Sequence, residues 1–149
     1  MVTISNMQFE DVPDVFSIDK KCFSMPWSEE AFFDELKNPN AVTFIARNNC
    51  ENNQIIGFIN AHLIIDECYI NNIAVDEKFR KQGIGFDLIN KLIDFMKIKN
   101  AVFISLEVRK TNFNAIKLYE KAGFQLKGER RNFYEKPIEN ALIYTLFKE

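Results

Sequence analysis

The stretch from residue 67 to residue 108 leaves the fewest choices of fold. Residues 67–75 (ECYINNIAV) read as a strand. Residues 76–85 (DEKFRKQGIG) are polar and end in two glycines. Ile84, Leu88, Ile89, Leu92, Ile93 and Met96 then recur at helical spacing, which predicts a long amphipathic helix. Residues 101–108 (AVFISLEV) return to a strand. A chain that passes from strand through a glycine-ended loop into a long helix and back to strand folds as mixed α and β.

The remainder supports that class. Residues 2–8 read as a short strand. Glu10 and Asp11 lead into a helix with Pro13 in its first turn, where a missing N–H costs nothing. Val12, Val15, Phe16, Cys22 and Phe23 share one face of it. Residues 24–27 break that helix, and Ser28 caps a second with Glu29 and Glu30 at its positive end. Phe32, Phe33 and Leu36 form its inner face, and Asn38-Pro39-Asn40 stops it. Strands follow at 41–48 and 54–65, paired as a hairpin through a turn at 51–53. Thr111 or Asn112 caps a helix at 113–122, which Gly123 ends. Strands at 124–128 and 141–147 are joined by a loop, RRNFYEKPIEN. The expectation is a single α+β domain over residues 1–149, a mixed, largely antiparallel sheet of seven strands flanked by about four helices.

Composition narrows the function. At 149 residues the chain buries a core without a disulfide or metal, and fifteen Phe predict a dense aromatic interior. A net charge of -2 offers no global attraction to nucleic acid or an anionic membrane. Cys22, Cys50 and Cys68 form no C-x-x-C pair and have one histidine, His62, to join them. They read as free thiols in a reducing compartment, with Cys22 and Cys68 in the core, His62 structural and no metal bound. No apolar run approaches the ~20 residues of a membrane span, and MVTISNMQFEDV is not a secretory signal. A cytoplasmic protein, monomeric or weakly dimeric, is expected.

Arg80-Lys81-Gln82-Gly83-Ile84-Gly85 lies where a loop opens the long helix. A diphosphate needs converging donors, and consecutive backbone N–H groups at a helix N-terminus supply them along with the positive end of the dipole. Glycine is needed where the backbone passes closest, and Arg80 and Lys81 add charge. The same six residues also read as a plain flexible helix start. They are neither a G-x-x-x-x-G-K-[ST] loop nor a G-x-G-x-x-G fingerprint, which would need glycine where Leu88 stands.

Two stretches carry a resemblance. One is Asn72-Ile73-Ala74-Val75-Asp76 followed by Arg80-Lys81-Gln82-Gly83-Ile84-Gly85. The other is Leu106-Glu107-Val108-Arg109 followed by Asn112, Ala115, Leu118, Tyr119, Gly123 and Phe124. In order and spacing both resemble the signatures of the GCN5-related N-acetyltransferases, over essentially the whole chain. Pro26-Trp27-Ser28, Leu106-Glu107-Val108-Arg109 and Arg131-Asn132-Phe133-Tyr134 look like the RimI branch, which acetylates the N-terminal alanine of the eighteenth small-subunit ribosomal protein. The resemblance implies acetyl-CoA as cosubstrate and a ribosomal protein N-terminus as acceptor. Phe86 departs from the family, which more often has a small or basic residue there.

Acetyl transfer to an amine needs a neutral amine, a polarised carbonyl and a proton for the departing thiolate. At pH 7 an α-amine of pKa ~7.7–8.0 is roughly a tenth neutral, and a lysine at ~10.4 well below a thousandth. That gap is about 3.5 kcal/mol, so one carboxylate acting through water suffices for an α-amine. The resemblance implies Glu107 as that base and Tyr119 as the acid. From the residues alone, Glu107 also reads as a solvent-facing strand residue and Tyr119 as core. A backbone N–H near Ile73 would polarise the carbonyl, and the polar pair Asn71-Asn72 suits a bulge that frees it. In the family the pantetheine arm pairs with backbone of Ile73, Ala74 and Val75. The phosphates would meet residues from Arg80 through Gln82 and Ile84 to Phe86. Asn112 would contact the CoA arm, cap its helix, or both. Trp27 and Tyr134 line the peptide groove or plug the core. Two rivals keep the fold: acetylation of a small-molecule amine or lysine side chain, and a non-catalytic acyl-CoA-binding module.

Overall fold

The structure is a computed structural model that describes residues 1–50 and 52–149. Strand β1 (Val2–Asn6) precedes helices α1 (Val12–Cys22) and α2 (Glu29–Glu35). Then come β2 (Ala41–Asn48), β3 (Gln54–Ile64), β4 (Glu67–Val75) and α3 (Ile84–Ile98). The chain closes with β5 (Phe103–Arg109), α4 (Phe113–Lys121), β6 (Gln125–Tyr134) and β7 (Glu139–Phe147). All seven strands form one sheet in the order β1-β2-β3-β4-β5-β7-β6. Every pairing is antiparallel except that of β4 with β5, which α3 connects as a crossover.

Strand alternation sends side chains to two cores. Phe44, Ile56, Ile59, Cys68, Ile104 and Leu106 meet α3 through Leu88, Ile89, Leu92 and Met96, and meet α4 through Tyr119. Ile45, Ile55, Phe58 and Ala74 meet α1 and α2 through Val12, Val15, Ile18 and Phe32. Ser28 caps α2 by accepting from the Ala31 N–H at 3.1 Å. Asn112, not Thr111, caps α4, its Oδ1 accepting from the Ala115 N–H at 3.3 Å.

Several expectations need correction. The supposed loop at 130–140 is mostly strand: β6 runs to Tyr134 and β7 starts at Glu139. Its residues are polar because β6 is an edge strand exposed on both faces, with register shifts that erase alternation. Only Phe32, Phe44, Phe58 and Phe124 of the fifteen Phe are fully buried, while Phe9, Phe23, Phe113, Phe133 and Phe147 are exposed. Cys22 is half-buried rather than in the core, because it faces the cleft described below. Leu36 is exposed just past the end of α2. Ile65 sits in the β3–β4 turn with φ +60° rather than in a strand. The turn at 51–53 has Asn52 and Asn53 at positive φ, while Glu51 lies outside the described residues. His62 accepts the structural role, 2.6 Å from the Glu35 carboxylate. No helix among the described residues is long and apolar enough to cross a membrane.

Candidate active site

The site begins where two parallel strands part. β4 and β5 pair only through Glu67–Tyr69 and Phe103–Ser105. Beyond Tyr69 the backbone groups of β4 that point toward β5 have no strand partner among the described residues. Residues from Ile70 to Val75 and from Leu106 to Arg109 thereby line opposite walls of a cleft of about 750 Å³.

A bulge shapes the β4 wall. Asn60 pairs with Asn72 but Ala61 pairs with Ile70, which leaves Asn71 as the extra residue. The extra residue shifts the phase of alternation. Cys68 and Ile70 face the α3 side, whereas Ala74, an even number of positions on, faces α1. Both asparagines are held. Asn71 Nδ2 donates to Asn60 Oδ1 at 3.0 Å, and Asn72 Nδ2 donates to Asp19 Oδ1 at 3.0 Å.

The far end of the cleft is the N-terminus of α3. Its first helical bond runs from the Asp87 N–H to the Gly83 carbonyl at 3.0 Å. Among the described residues nothing accepts from the backbone N–H groups of residues 81–86. Lys81 and Gly83 both take positive φ, +64° and +83°. The two glycines have different reasons. Gly83 needs its left-handed backbone and has open space around it. Gly85 packs closely, since an added Cβ would lie 3.0 Å from Leu118 Cδ2. Arg80 is tied in place, with Nε donating to the Val75 carbonyl at 3.0 Å and Nη2 reaching Cys22 Sγ at 3.3 Å. Lys121 from α4 holds its ammonium 4.5 Å above the Phe86 ring, so positive charge reaches the helix start where Phe86 carries none.

Glu107 projects from β5 into the cleft, partly exposed, with Arg130 Nε 3.6 Å from its carboxylate. Tyr119 enters from α4. Its ring is buried against Phe124 at 6.0 Å between centroids. Among the described residues its hydroxyl has no hydrogen-bond partner, and it is not sealed from the cleft. Burial, helped by the neighbouring Tyr134, holds its phenol well above the ordinary value near 10. Tyr134 is pushed up to about 12, mainly by burial and further by the charge of Glu107. Trp27 packs its ring 5.3 Å from that of Phe32, tilted at 43°, and also lines the cleft.

Ile73, Ala74, Val75, Arg80, Lys81, Gly83, Ile84, Gly85, Phe86, Glu107, Asn112, Tyr119, Trp27 and Tyr134 all line this one cleft. Gln82 sits on the loop without lining it. The sequence reading missed Asp19. It is fully buried, accepts from the Trp27 N–H at 2.9 Å and from Asn72, and burial raises its pKa more than those two bonds lower it. The signal was present: Asp19 falls on the apolar stripe of α1.

The chain has counterparts among known proteins. The sequence model of the Acetyltransferase (GNAT) family matches residues 12–124. The [ribosomal protein bS18]-alanine N-acetyltransferase of Haemophilus influenzae is 35% identical, over 99% of this chain and 99% of that protein. The crystal structure of the ribosomal-protein-S18-alanine N-acetyltransferase from Escherichia coli superposes with a TM-score of 0.89 at 33% identity, covering 99% of this chain and 94% of that one. Arabidopsis thaliana NAA60 in complex with acetyl-CoA shares the fold, with a TM-score of 0.90 at 19% identity over 99% and 98% of the two chains. This chain belongs to the acetyltransferase (GNAT) family.

Proposed function

We propose that this protein, acting as a single domain in the cytoplasm, transfers the acetyl group of acetyl-CoA to the N-terminal alanine of ribosomal protein bS18. One observation carries the reading. The unpaired amides of residues 81–86 and the unpaired edge of β4 run continuously into the cleft that holds Glu107 and Tyr119. The amides suit a diphosphate, and the strand edge suits the amide groups of a pantetheine arm. The choice of acceptor is supported by full-length relatives named for it.

The roles follow from the positions. The diphosphate lies on the start of α3, with Arg80 and Lys121 nearby. A β4 amide near Ile73 donates to the thioester carbonyl as it gains negative charge. Glu107, through a water, takes a proton from the α-ammonium, and the freed amine nitrogen bonds to the carbonyl carbon. The carbon–sulfur bond then breaks as the nitrogen gives up its second proton to water, and Tyr119 donates to the departing sulfur, regaining from water any proton it passes on. Trp27 and Tyr134 line the acceptor's path.

The test is mass spectrometry of the purified protein with acetyl-CoA and a peptide of the bS18 N-terminus. The peptide should gain one acetyl group on its alanine nitrogen. Acetylation of polyamine or lysine acceptors with none of the peptide would refute the assignment. Absence of turnover on every acceptor, despite calorimetric binding of acetyl-CoA, would point to a binding module.

A further inference from the structure

Arg109 ends β5, two residues beyond Glu107 and on the same face of the strand. Nη1 donates to the Pro137 carbonyl at 2.9 Å and to Glu139 Oε1 at 3.3 Å. Nη2 donates to the Glu135 carbonyl at 2.7 Å and to Ser24 Oγ at 3.3 Å. The face of the guanidinium lies 4.5 Å from the centre of the Tyr134 ring. Glu139 is fixed in turn, accepting from the Thr111 N–H at 2.7 Å and hydroxyl at 2.5 Å. Those hydroxyl and amide bonds and Arg109 hold its carboxyl below the usual range, so it is charged at neutral pH.

The partners of Arg109 come from two separate segments. Ser24 belongs to the connection between α1 and α2, which also carries Trp27. Glu135 and Pro137 form the turn between β6 and β7 that follows Tyr134. Ser24, Trp27 and Tyr134 all line the same cleft as Glu107. With its four terminal N–H groups committed and one face covered, Arg109 has little left to offer a substrate. Its planar fork makes several directed bonds at once, which a lysine ammonium cannot reproduce.

We propose that Arg109 is a positioning residue for the acceptor: it clamps the α1–α2 connection to the β6–β7 turn, with Tyr134 between them, and so sets the mouth through which the amine reaches Glu107. This rests on the acceptor-side reading above. The clamp acts on the acceptor alone, because the free amides of residues 81–86 lie on a different segment.

The test compares Arg109→Ala, Arg109→Lys and Ser24→Ala with the parent. Steady-state kinetics use the bS18 peptide, and calorimetry measures acetyl-CoA affinity. Loosening the walls should raise the acceptor KM of Arg109→Ala by about tenfold or more, since small misplacements of a bound reactant carry losses of that order. Acetyl-CoA affinity should stay within about twofold, with Arg109→Lys intermediate and Ser24→Ala mildly affected. An unchanged acceptor KM in Arg109→Ala, or an equal loss of acetyl-CoA affinity, overturns the proposal. If Arg109→Ala does not fold, unchanged acceptor KM in both other variants overturns it. Hydrogen exchange needs no acceptor and separates this idea from the functional one. Residues 23–27 and 134–138 should both exchange faster in Arg109→Lys, and acceleration of one segment without the other refutes the clamp even if the acceptor has been misassigned.

Discussion

Replacing Tyr119 by Phe separates the chemical from the structural role of its hydroxyl. The ring is buried, but among the described residues the hydroxyl bonds to nothing. Its removal therefore strands no partner, and stability should hold or rise by up to about 1 kcal/mol. The catalytic loss follows from proton affinities. An ordinary phenol near ~10 lies about 1.5 units above a thiol near ~8.5, so full transfer to a thiolate is uphill by about 2 kcal/mol. Burial raises the phenol and widens that gap. In the proposed mechanism Tyr119 therefore contributes chiefly a hydrogen bond to the developing sulfur charge, worth about 1.5–3 kcal/mol for a charged acceptor. That predicts a fall in kcat of about 10- to 150-fold in Tyr119→Phe, with calorimetric affinity for acetyl-CoA unchanged. The pH dependence has a definite sign. A folded-state pKa above the free value gives stability that is complete below pH ~10 and lost as pH rises through the folded value. Thermal melts of the parent should weaken above pH ~10 more than those of Tyr119→Phe. Retention of more than half the turnover would refute a donor role. A loss beyond about 10⁴-fold would refute the argument that hydrogen bonding rather than proton transfer limits the contribution.

Two further substitutions test the scaffold of the cleft. Gly85→Ala places a Cβ 3.0 Å from Leu118 Cδ2, the end of a flexible side chain. It should cost about 1 kcal/mol in denaturant unfolding and weaken acetyl-CoA binding through a shifted helix start; an unchanged midpoint and affinity would show that α4 yields freely. Asp19→Ala leaves the Trp27 N–H and the Asn72 amide without their acceptor and should cost about 2–5 kcal/mol, whereas Asp19→Asn keeps one acceptor and should cost less. Because burial raises the Asp19 pKa above 3.8, its contribution is complete below that value and declines as pH rises through the folded one. Unfolding curves should therefore show Asp19→Asn gaining on the parent as pH rises from about 4 toward neutrality; a constant difference would mean the carboxyl is not strained by its site.

What the sequence made legible was whatever depends on local period. The α3 stripe, the Ser28 cap and the glycine-ended loop are written in consecutive residues and appear where expected. The second strand of the C-terminal hairpin was also readable, because β7 lies between β5 and β6 and carries the nearly unbroken apolar run ALIYTLF. Its partner β6 was not, since an edge strand exposed on both sides has no apolar side to display. Arg109 was visible as a motif residue but not as a clamp. Its partners lie 85 residues before it and 26 to 30 after it, and no period reports such a distance.

The bulge at Asn71 shows where that boundary falls. Two polar residues inside an apolar strand are anomalous, and the anomaly was readable as a break in pairing. The residues that make the break stable were not. Asn71 leans on Asn60, which is fully buried and also donates to Glu35 at 2.9 Å and to Thr43 at 2.9 Å. Asn72 leans on Asp19, which also fixes the Trp27 backbone. Each asparagine is thus tied to a carboxylate on a different helix, α2 for one and α1 for the other. Asn72 is buried, and its amide without such a partner would cost about 1–3 kcal/mol, a penalty that the bond to Asp19 avoids. The bulge of β4 is therefore tied to the same two helices whose connection supplies Ser24 and Trp27. The bulged part of β4 and the backbone of Trp27 are thus braced by the same buried carboxylate, Asp19.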